Sequence, residues 1–272
     1  MEMAVDAGSF DVEAGIADRI VRVRTDALMW QRERLLNIGV AALPEECDAV
    51  VWLDCDLLFE RDDWVADTAR RLDDTPVVQP FEVARYLPRG VDDPAAAGES
   101  PEVRGIAATL ARHPDRQRAL AHYLEHGHTG FGWAFRREIV DRHGFYDGLI
   151  VGGADVVMAH ACYGDRDFFE GRNWYARRLP PAVVAHAADW SPGFMDAVGG
   201  RVGYTPGTVA HLWHGDLAAR QYTERLAILR DEAFDPRTDL ARTVDGCWRW
   251  GSDKPLLHRR LREYFVGRRE DG

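Results

Sequence analysis

Two aspartates one residue apart interrupt an apolar stretch of the sequence, AVVWLDCDLLF, at residues 49–59. An unpaired carboxylate is costly to bury, so Asp54 and Asp56 need a partner if this stretch enters the core. If the chain stays extended, the two carboxylates point together and Cys55 points away. Convergent carboxylates repel each other unless a cation lies near them, and Mg²⁺ and Mn²⁺ are held by one or two carboxylates together with substrate phosphates. The pair therefore indicates a divalent metal site that faces a phosphorylated ligand.

The alternative interpretation of the two aspartates is a solvated turn after a strand, since short motifs of this kind are common by accident. The neighbouring residues argue against it, because VVWL precedes the pair and LLF follows it. An ordinary turn is more polar on both sides. We therefore favour the metal site.

The composition argues against several classes of protein. The chain has 272 residues and a formal net charge of -11, whereas a nucleic-acid-binding protein presents a basic face. No apolar run reaches the length of about 18 residues that a transmembrane helix needs. The first residues also lack the basic and apolar regions of a signal peptide. Cys47, Cys55, Cys162 and Cys247 form no CxxC pair, and we interpret them as reduced thiols of a cytoplasmic protein.

Short apolar strands alternate with helical segments, which predicts an α/β domain with a mostly parallel sheet flanked by helices. Strands are predicted at residues 21–23, 49–53 and 75–81 and at the start of 208–215, and helices at 28–38, 64–74 and, interrupted at Pro114, 103–126. In such sheets ligands bind beyond the carboxyl ends of the strands. Asp54 and Asp56 directly follow the second predicted strand, so they lie where a ligand is expected.

Two longer segments resemble the two halves of a GT-A glycosyltransferase. WQRERLLNIGVAALPEECDAVVWLDCDLLFERDDW resembles the DxD-centred half, and GFGWAFRREIVDRHGFYDGLIVGGADVVMAHA resembles the acceptor half. The general pattern is similar to the family-2-like and N-acetylgalactosaminyltransferase-like group, over roughly residues 20–245. The resemblance implies a single GT-A-like catalytic domain over residues 1–245 and a C-terminal helical extension over residues 246–272.

The resemblance also implies a metal centre. Asp54 and Asp56 would hold a divalent ion that bridges the diphosphate of a nucleotide sugar, and a C-terminal histidine would complete the ligand set. TVAHLWHG offers His211 and His214 for that position. If this segment is a strand throughout, the two face opposite ways and at most one reaches the metal, so the choice stays open. Two carboxylates and an imidazole suit Mn²⁺ better than Mg²⁺.

Three more residues are implied to contact the donor or the sugar. Arg34 and Asn37, in RLLNIG, match the element that lies beside the nucleotide sugar. Their alternative interpretation is an ordinary exposed helix end. Trp133, in GFGWA, would line the sugar or acceptor pocket, although a tryptophan is as often a core residue.

The GGAD segment supplies the expected catalytic base. Asp155 matches the acidic position that, in inverting members, removes the proton of the acceptor hydroxyl, a role that requires hydrogen-bond reach. Gly152 and Gly153 would let the backbone approach the sugar. The alternative is that Asp155 caps the helix that follows, and the two roles are compatible.

The sequence departs from the family at its start. The first strand and helix of the family, which hold the nucleotide base, have no counterpart before Val21. Without that unit the sheet is expected to have a gap and two unpaired edges. We expect either a true start about 25–40 residues upstream, from typical lengths of such units, or a truncated relative that has lost donor binding.

The combined expectation is a metal-dependent hexosyl- or N-acetylhexosaminyl-transferase. It would use a nucleotide-diphosphate sugar and an acceptor hydroxyl on a glycan, a small molecule or a protein, none of which the residues identify. The alternative is a catalytically degenerate GT-A-like binding domain that lacks the donor base site. A nucleotidyltransferase is disfavoured, because a glycine-rich basic phosphate loop is absent and Lys254 is the only lysine.

Overall fold

The computed structural model describes residues 1–122, 125–222 and 224–268 of the chain and shows a mixed α/β fold. Its strands are β1 (Glu2–Val5), β2 (Arg22–Thr25), β3 (Ala49–Leu53), β4 (Leu57–Phe59), β5 (Val77–Gln79), β6 (Val83–Tyr86), β7 (Glu102–Arg104), β8 (Gly132–Arg136), β9 (Val202–Tyr204), β10 (Thr208–His211), β11 (Leu240–Arg242) and β12 (Trp248–Trp250). Its helices are α1 (Arg32–Ala41), α2 (Trp64–Asp74), α3 (Ile106–Arg112), α4 (Arg116–Ala121), α5 (Arg137–His143), α6 (Ala154–Cys162), α7 (Arg166–Phe169), α8 (Pro181–Val198), α9 (Arg225–Asp231), α10 (Pro236–Asp239) and α11 (Pro255–Gly267), with short 3₁₀ turns at Pro94–Ala96, Ala176–Arg178 and Leu217–Arg220. Within these ranges, no helix combines the length and the apolar character that crossing a membrane requires.

The central sheet has the strand order β3-β8-β5-β9. β8 runs antiparallel to both β3 and β5, whereas β5 and β9 are parallel. The sheet is therefore mixed, and the prediction of a mostly parallel sheet is wrong. Alternation of strands and helices in the sequence indicates the α/β class, but it does not reveal that β8 enters between two strands in the opposite direction.

A second sheet has the order β4-β10-β6-β7 and also mixes directions. β10 runs parallel to β6 and antiparallel to β4. The chain leaves the central sheet at the end of β3 and joins the second sheet at β4, through the short turn at residues 54–56. The two aspartates singled out from the sequence therefore lie where the two sheets meet.

The strand β3 spans the predicted residues, but only one of its faces is buried. Val50 and Trp52 are 6% and 4% exposed, whereas Val51 and Leu53 are 39% and 36% exposed. The inner face packs into the main hydrophobic core together with side chains from α6 and α8. Side chains alternate along a strand, so this strand has one core face and one face toward a groove.

The outer edge of β3 borders that groove. β1 and β2 form a separate parallel pair, and β3 is the first strand of the central sheet. The groove has a volume of about 300 Å³ and is lined by Met1, Val21, Val51 and Leu53 among others. Within the described ranges, no further strand pairs with β1 or β3 on this side. The missing first strand and helix, and the gap that their absence implies, remain predictions from the sequence.

The C-terminal helix α11 belongs to the main core. Leu257 and Leu261 are fully buried, and Tyr264 is 5% exposed. The boundary drawn at residues 245 and 246 falls inside the antiparallel β11–β12 hairpin. The segment after this boundary therefore packs with the residues before it.

Replacing Leu261 by alanine is expected to lower the free energy of unfolding by about 2–5 kcal/mol, because a fully buried side chain leaves the core. Val266→Ala on the same helix is the matched control. Val266 is 67% exposed, and its truncation should change that free energy by less than about 0.5 kcal/mol. Urea denaturation followed by circular dichroism measures both. Equally small effects would contradict the place of α11 in the core.

Candidate active site

Asp56, His211 and His214 form a cluster that could hold a metal ion. The His214 Nε2 atom lies 2.9 Å from Asp56 Oδ2, and the His211 Nε2 atom lies 3.4 Å from the same oxygen. The two imidazole nitrogens are 3.1 Å apart. One ligand atom from each residue can be chosen so that all lie within 4.8 Å of one another, and within the described ranges this is the group that meets that criterion.

Pairing between β4 and β10 brings these residues together. Leu57, directly after Asp56, pairs with His211 at the end of β10. The Leu212 N–H then donates a hydrogen bond of 2.9 Å to the Asp56 carbonyl. Because β10 ends at His211, strand alternation does not govern His214. Both histidines therefore face Asp56, and both are placed to act as the metal ligand that the resemblance implies.

The protonation of the cluster suits metal binding. Burial lowers the pKa of His211 to about 4, although the Asp56 charge opposes the shift. Burial acts to raise the pKa of Asp56, but the hydrogen bond from His214 and the electrostatic effect of the two neighbouring histidines hold it below its ordinary value. A carboxylate and a neutral imidazole are the forms that bind metals. The second oxygen, Asp56 Oδ1, is buried and has no hydrogen-bond partner among the described residues.

This donor set fits a transition metal better than Mg²⁺. One carboxylate and two imidazoles suit Mn²⁺, Fe²⁺ or Zn²⁺, whereas Mg²⁺ prefers an all-oxygen shell. The unpartnered, buried Asp56 Oδ1 supports this fit, since an unsatisfied carboxylate oxygen is costly to bury. Asp56, His211 and His214 would therefore each supply one ligand atom to a divalent transition-metal ion.

Asp54 does not join the cluster. Its Oδ1 atom lies 2.8 Å from Nη1 of Arg32, in an ion pair. Residues 55 and 56 form a turn, so the extended geometry that would align Asp54 with Asp56 ends at Leu53. Burial raises the pKa of Asp54, while the Arg32 charge opposes that shift. The expectation that both aspartates point together at one metal is wrong in this structure.

Arg32 links three carboxylates. Its guanidinium contacts Glu33 at 2.7 Å and Asp54 at 2.8 Å, and it lies 3.7 Å from Asp155 Oδ1. Burial acts against its charge, but the three carboxylates raise the pKa of Arg32. Burial also raises the pKa of Glu33, against the effect of Arg32. Arg32 therefore connects the DxD turn to the glycine turn before α6.

Arg32 and Glu33 were not predicted as site residues. They are the first two residues of RER in WQRERLLNIG, and the third, Arg34, matched the family element instead. Helix α1 begins at Arg32, which places this side chain at the end of the helix nearest Asp54. Arg32 and Arg34 are the same residue type, so the residue types do not distinguish them. Only a correct prediction of where α1 begins would have identified Arg32 as the site residue.

Asp155 lies in the first turn of α6, and the cap of that helix is Gly153. The capping role considered for Asp155 is therefore wrong. Its Oδ2 atom accepts a hydrogen bond of 2.7 Å from the Thr129 hydroxyl. The carboxylate thus faces Thr129 and Arg32, on the same side of the molecule as Asp54.

Gly152 and Gly153 have positive φ angles of 85° and 93°, which L side chains rarely adopt. The space beside them is occupied by other side chains. A Cβ atom on Gly152 would lie 3.1 Å from Nη1 of Arg225, and one on Gly153 would overlap the Tyr175 hydroxyl. In this structure the glycines admit Arg225 and Tyr175, rather than leaving the backbone open to a sugar as predicted.

The remaining predicted residues hold the fold together. Arg34 and Asn37 both contact Asp147 Oδ2, at 3.0 and 3.1 Å. Trp133 is fully buried and donates its indole N–H to the Thr129 carbonyl at 2.8 Å. A fully buried ring cannot line an open pocket, so Trp133 matches the core alternative. Its contact with Thr129 nevertheless supports the residue that binds Asp155.

No protein-family model, curated protein or solved structure matches this chain. Its own residues and their geometry therefore support the functional proposal below. The GT-A resemblance remains a prediction from the sequence.

The pH dependence of stability tests the burial of His128 beside this site. Burial lowers the pKa of His128 to about 4 from an ordinary 6.5. The His128 imidazole therefore binds a proton below pH 6.5 in the unfolded chain, but only below about pH 4 in the folded protein. The stability contributed by the neutral imidazole is complete above pH 6.5 and is lost as the pH falls toward 4. His128→Asn should reduce the loss of unfolding free energy between pH 7 and pH 5 by up to about 2 kcal/mol.

The Nδ1 atom of His128 accepts the Gly130 N–H at 3.1 Å, and an asparagine oxygen can take over that role. His122→Asn, at an exposed position, is the control and should leave the pH profile unchanged. Chemical denaturation at several pH values measures each profile. If His128→Asn and the wild type lose the same stability on acidification, the burial described here is incorrect.

Proposed function

We propose that this chain is a metal-dependent glycosyltransferase of the GT-A type. It would transfer a hexosyl or N-acetylhexosaminyl group from a nucleotide-diphosphate sugar to an acceptor hydroxyl. The observation that carries the proposal is the cluster of Asp56, His211 and His214. Asp56 is two residues from Asp54, which pairs with Arg32, and Arg32 lies 3.7 Å from Asp155, so the metal cluster and a candidate base are linked through Arg32.

In this proposal Asp56, His211 and His214 hold the metal, with Mn²⁺ favoured over Mg²⁺ by the two imidazoles. When bound, such an ion supplies positive charge against the negative charge that develops on a leaving diphosphate. Asp54 acts through Arg32, with which it forms the 2.8 Å ion pair. This pair fixes the turn that carries Asp56.

Asp155 is the proposed base, which accepts the proton of the acceptor hydroxyl. Thr129 and Arg32 orient its two oxygens, at 2.7 and 3.7 Å. Its side chain is 16% exposed, so it can be reached by a substrate while remaining partly shielded from water. A base needs hydrogen-bond reach of the proton that it abstracts, and a fixed carboxylate at the surface of the site meets that requirement.

The alternative is a GT-A-like binding domain without turnover. The observation that favours it is that only one aspartate of the DxD pair reaches the metal cluster, while the other is occupied by Arg32. Calorimetry with UDP, GDP and Mn²⁺, together with a donor-hydrolysis assay, separates the two. Tight, metal-dependent nucleotide binding eliminates the binding domain, whereas a protein that neither binds these nucleotides nor hydrolyses any donor supports it.

Asp56→Asn is expected to weaken Mn²⁺ binding by more than about a hundredfold, beyond the loss that is typical when an outer partner of a metal site is replaced. Asp54→Asn should weaken it by less than about tenfold, because Asp54 pairs with Arg32 and not with the histidines. Each change removes one negative charge, and the two positions are only two residues apart. The difference between their Mn²⁺ affinities therefore reports direct metal ligation. Calorimetric titration of the full chain with Mn²⁺, Zn²⁺ and Fe²⁺ measures the affinities.

Donor turnover in the presence of Mn²⁺ should follow the same order. An Asp56→Asn protein that binds Mn²⁺ and hydrolyses donor like the wild type would refute the metal-dependent mechanism. Asp62→Asn, at an exposed position near the DxD turn, controls for general loss of charge.

Asp155→Asn should lower kcat for transfer by about 10²–10⁴-fold, the usual contribution of a general base. Its Mn²⁺ affinity should stay close to that of the wild type, because Asp155 is not among the three clustered ligands. Steady-state kinetics over a range of pH, combined with the metal titration, distinguishes these effects. A loss of metal binding equal to that of Asp56→Asn would assign Asp155 to the metal site instead.

A further inference from the structure

Two arginines beside the cluster are buried without an acidic partner. Arg220 and Arg225 are each 7% exposed. Within the described ranges, neither guanidinium has a carboxylate oxygen within 4.0 Å, whereas Arg32 and Arg34 each form an ion pair with an aspartate. Burying a guanidinium is costly unless its charge is balanced. Among the described residues, Asp155 acts on Arg225 only from beyond ion-pair distance, so both guanidinium groups can still pair with an anionic ligand.

Arg220 lies against the metal cluster. Its Nη2 atom donates a hydrogen bond of 3.2 Å to the carbonyl of His214, and its Nη1 atom lies 3.0 Å from the Tyr222 hydroxyl. Its Nε–H is buried and has no partner among the described residues. The charge of Arg220 also contributes to the low pKa of His211, after burial and His214. The positive charge of Arg220 therefore lies next to the backbone of His214, a proposed metal ligand.

Arg225 lies over the glycine turn that precedes Asp155. Its Nη1 atom is 3.5 Å from the Tyr264 hydroxyl and occupies the space that the missing side chain of Gly152 leaves free. Its Nε–H is also buried and unpartnered in the described part of the chain. The guanidinium lies 4.8 Å from the Tyr222 ring centroid, so Tyr222 contacts both arginines.

The contrast with Arg32 and Arg34 shows what is unusual. Arg32 contacts Asp54 at 2.8 Å, and Arg34 contacts Asp147 at 3.0 Å. Neutral hydroxyls and carbonyls solvate Arg220 and Arg225 instead. Hydrogen bonds to neutral groups are weaker than charge-assisted ones, so donor capacity remains for an anion.

We propose that Arg220 and Arg225 bind the diphosphate of the sugar donor, on the side of the metal cluster that faces the glycine turn. The proposal rests on the function proposed above and names the residues that take the leaving group. A diphosphate suits the site because it offers several oxygens and more than one negative charge, which match two guanidinium forks and a metal. A single carboxylate could satisfy only one of them.

The test uses the full chain and inorganic pyrophosphate. Calorimetric titration with EDTA present should show binding that weakens as salt is added, and Mn²⁺ should strengthen it. Arg220→Gln and Arg225→Gln should each weaken metal-free binding by at least about tenfold, the loss expected for a hydrogen bond to a charged group. Arg230→Gln is the matched control on α9, because Arg230 is exposed, and its affinity should be unchanged within about twofold.

Folding of each variant is checked by its thermal midpoint, since Arg225 also packs over Gly152. Arg225→Lys keeps the charge but loses the fork, and it should bind pyrophosphate with intermediate affinity. Wild-type protein that binds no pyrophosphate, with or without Mn²⁺, overturns the proposal whatever the variants do. Glutamine variants that fold and bind like the wild type overturn it as well.

The Asp56→Asn protein separates this proposal from the transferase proposal. Metal-free pyrophosphate binding should persist in Asp56→Asn, whereas donor turnover should be lost. If turnover persists in Asp56→Asn but binding fails in the arginine variants, the metal mechanism falls and the anion site stands. If turnover needs Asp56 but the arginine variants bind normally, the anion site falls and the metal mechanism stands.

Discussion

The whole candidate site depends on the pairing of β4 with β10. This contact joins the turn after β3 to the end of a strand that lies about 150 residues later in the sequence. It places Asp56 opposite His211 and, through the Leu212 amide, holds the following loop so that His214 reaches the same oxygen. Three potential ligands from two distant segments therefore meet because two short strands share a sheet.

The charged side chains around the cluster form two groups, one rich in carboxylates and one made of arginines. Arg32 is surrounded by Glu33, Asp54 and Asp155, so carboxylates outnumber cations on that side. Arg220 and Arg225 lie beside the same site and form no ion pair with a described acid, although Arg225 packs over the glycine turn that precedes Asp155. A guanidinium keeps its proton throughout the physiological pH range, so this polarity is permanent. The site therefore combines carboxylates suited to a cation or a proton with guanidinium groups suited to an anion.

The sequence predicted the elements near the site better than the contacts between them. The apolar run of β3 and the helix after the DxD turn lie at the predicted residues, because local patterns determine them. The prediction that Asp54 and Asp56 point at one metal was wrong, because the chain turns after Leu53 instead of staying extended. The ion pairs of Arg32 and the buried arginines beside the cluster could not be predicted, since they depend on residues far apart in the chain. The prediction of mostly parallel strands was wrong for the same reason, since strand direction depends on which distant segments pair.

The open edge of β3 has a consequence for the behaviour of the protein at high concentration. The outer edge of β3 has no strand partner in the described part of the chain, and beside it Val51 and Leu53 expose apolar side chains, so the same strand of another copy can add there. The net charge of -11 keeps copies apart at low ionic strength, and dissolved salt weakens that repulsion. Resistance to aggregation therefore depends on the balance between strand addition at this edge and electrostatic repulsion between the negatively charged molecules.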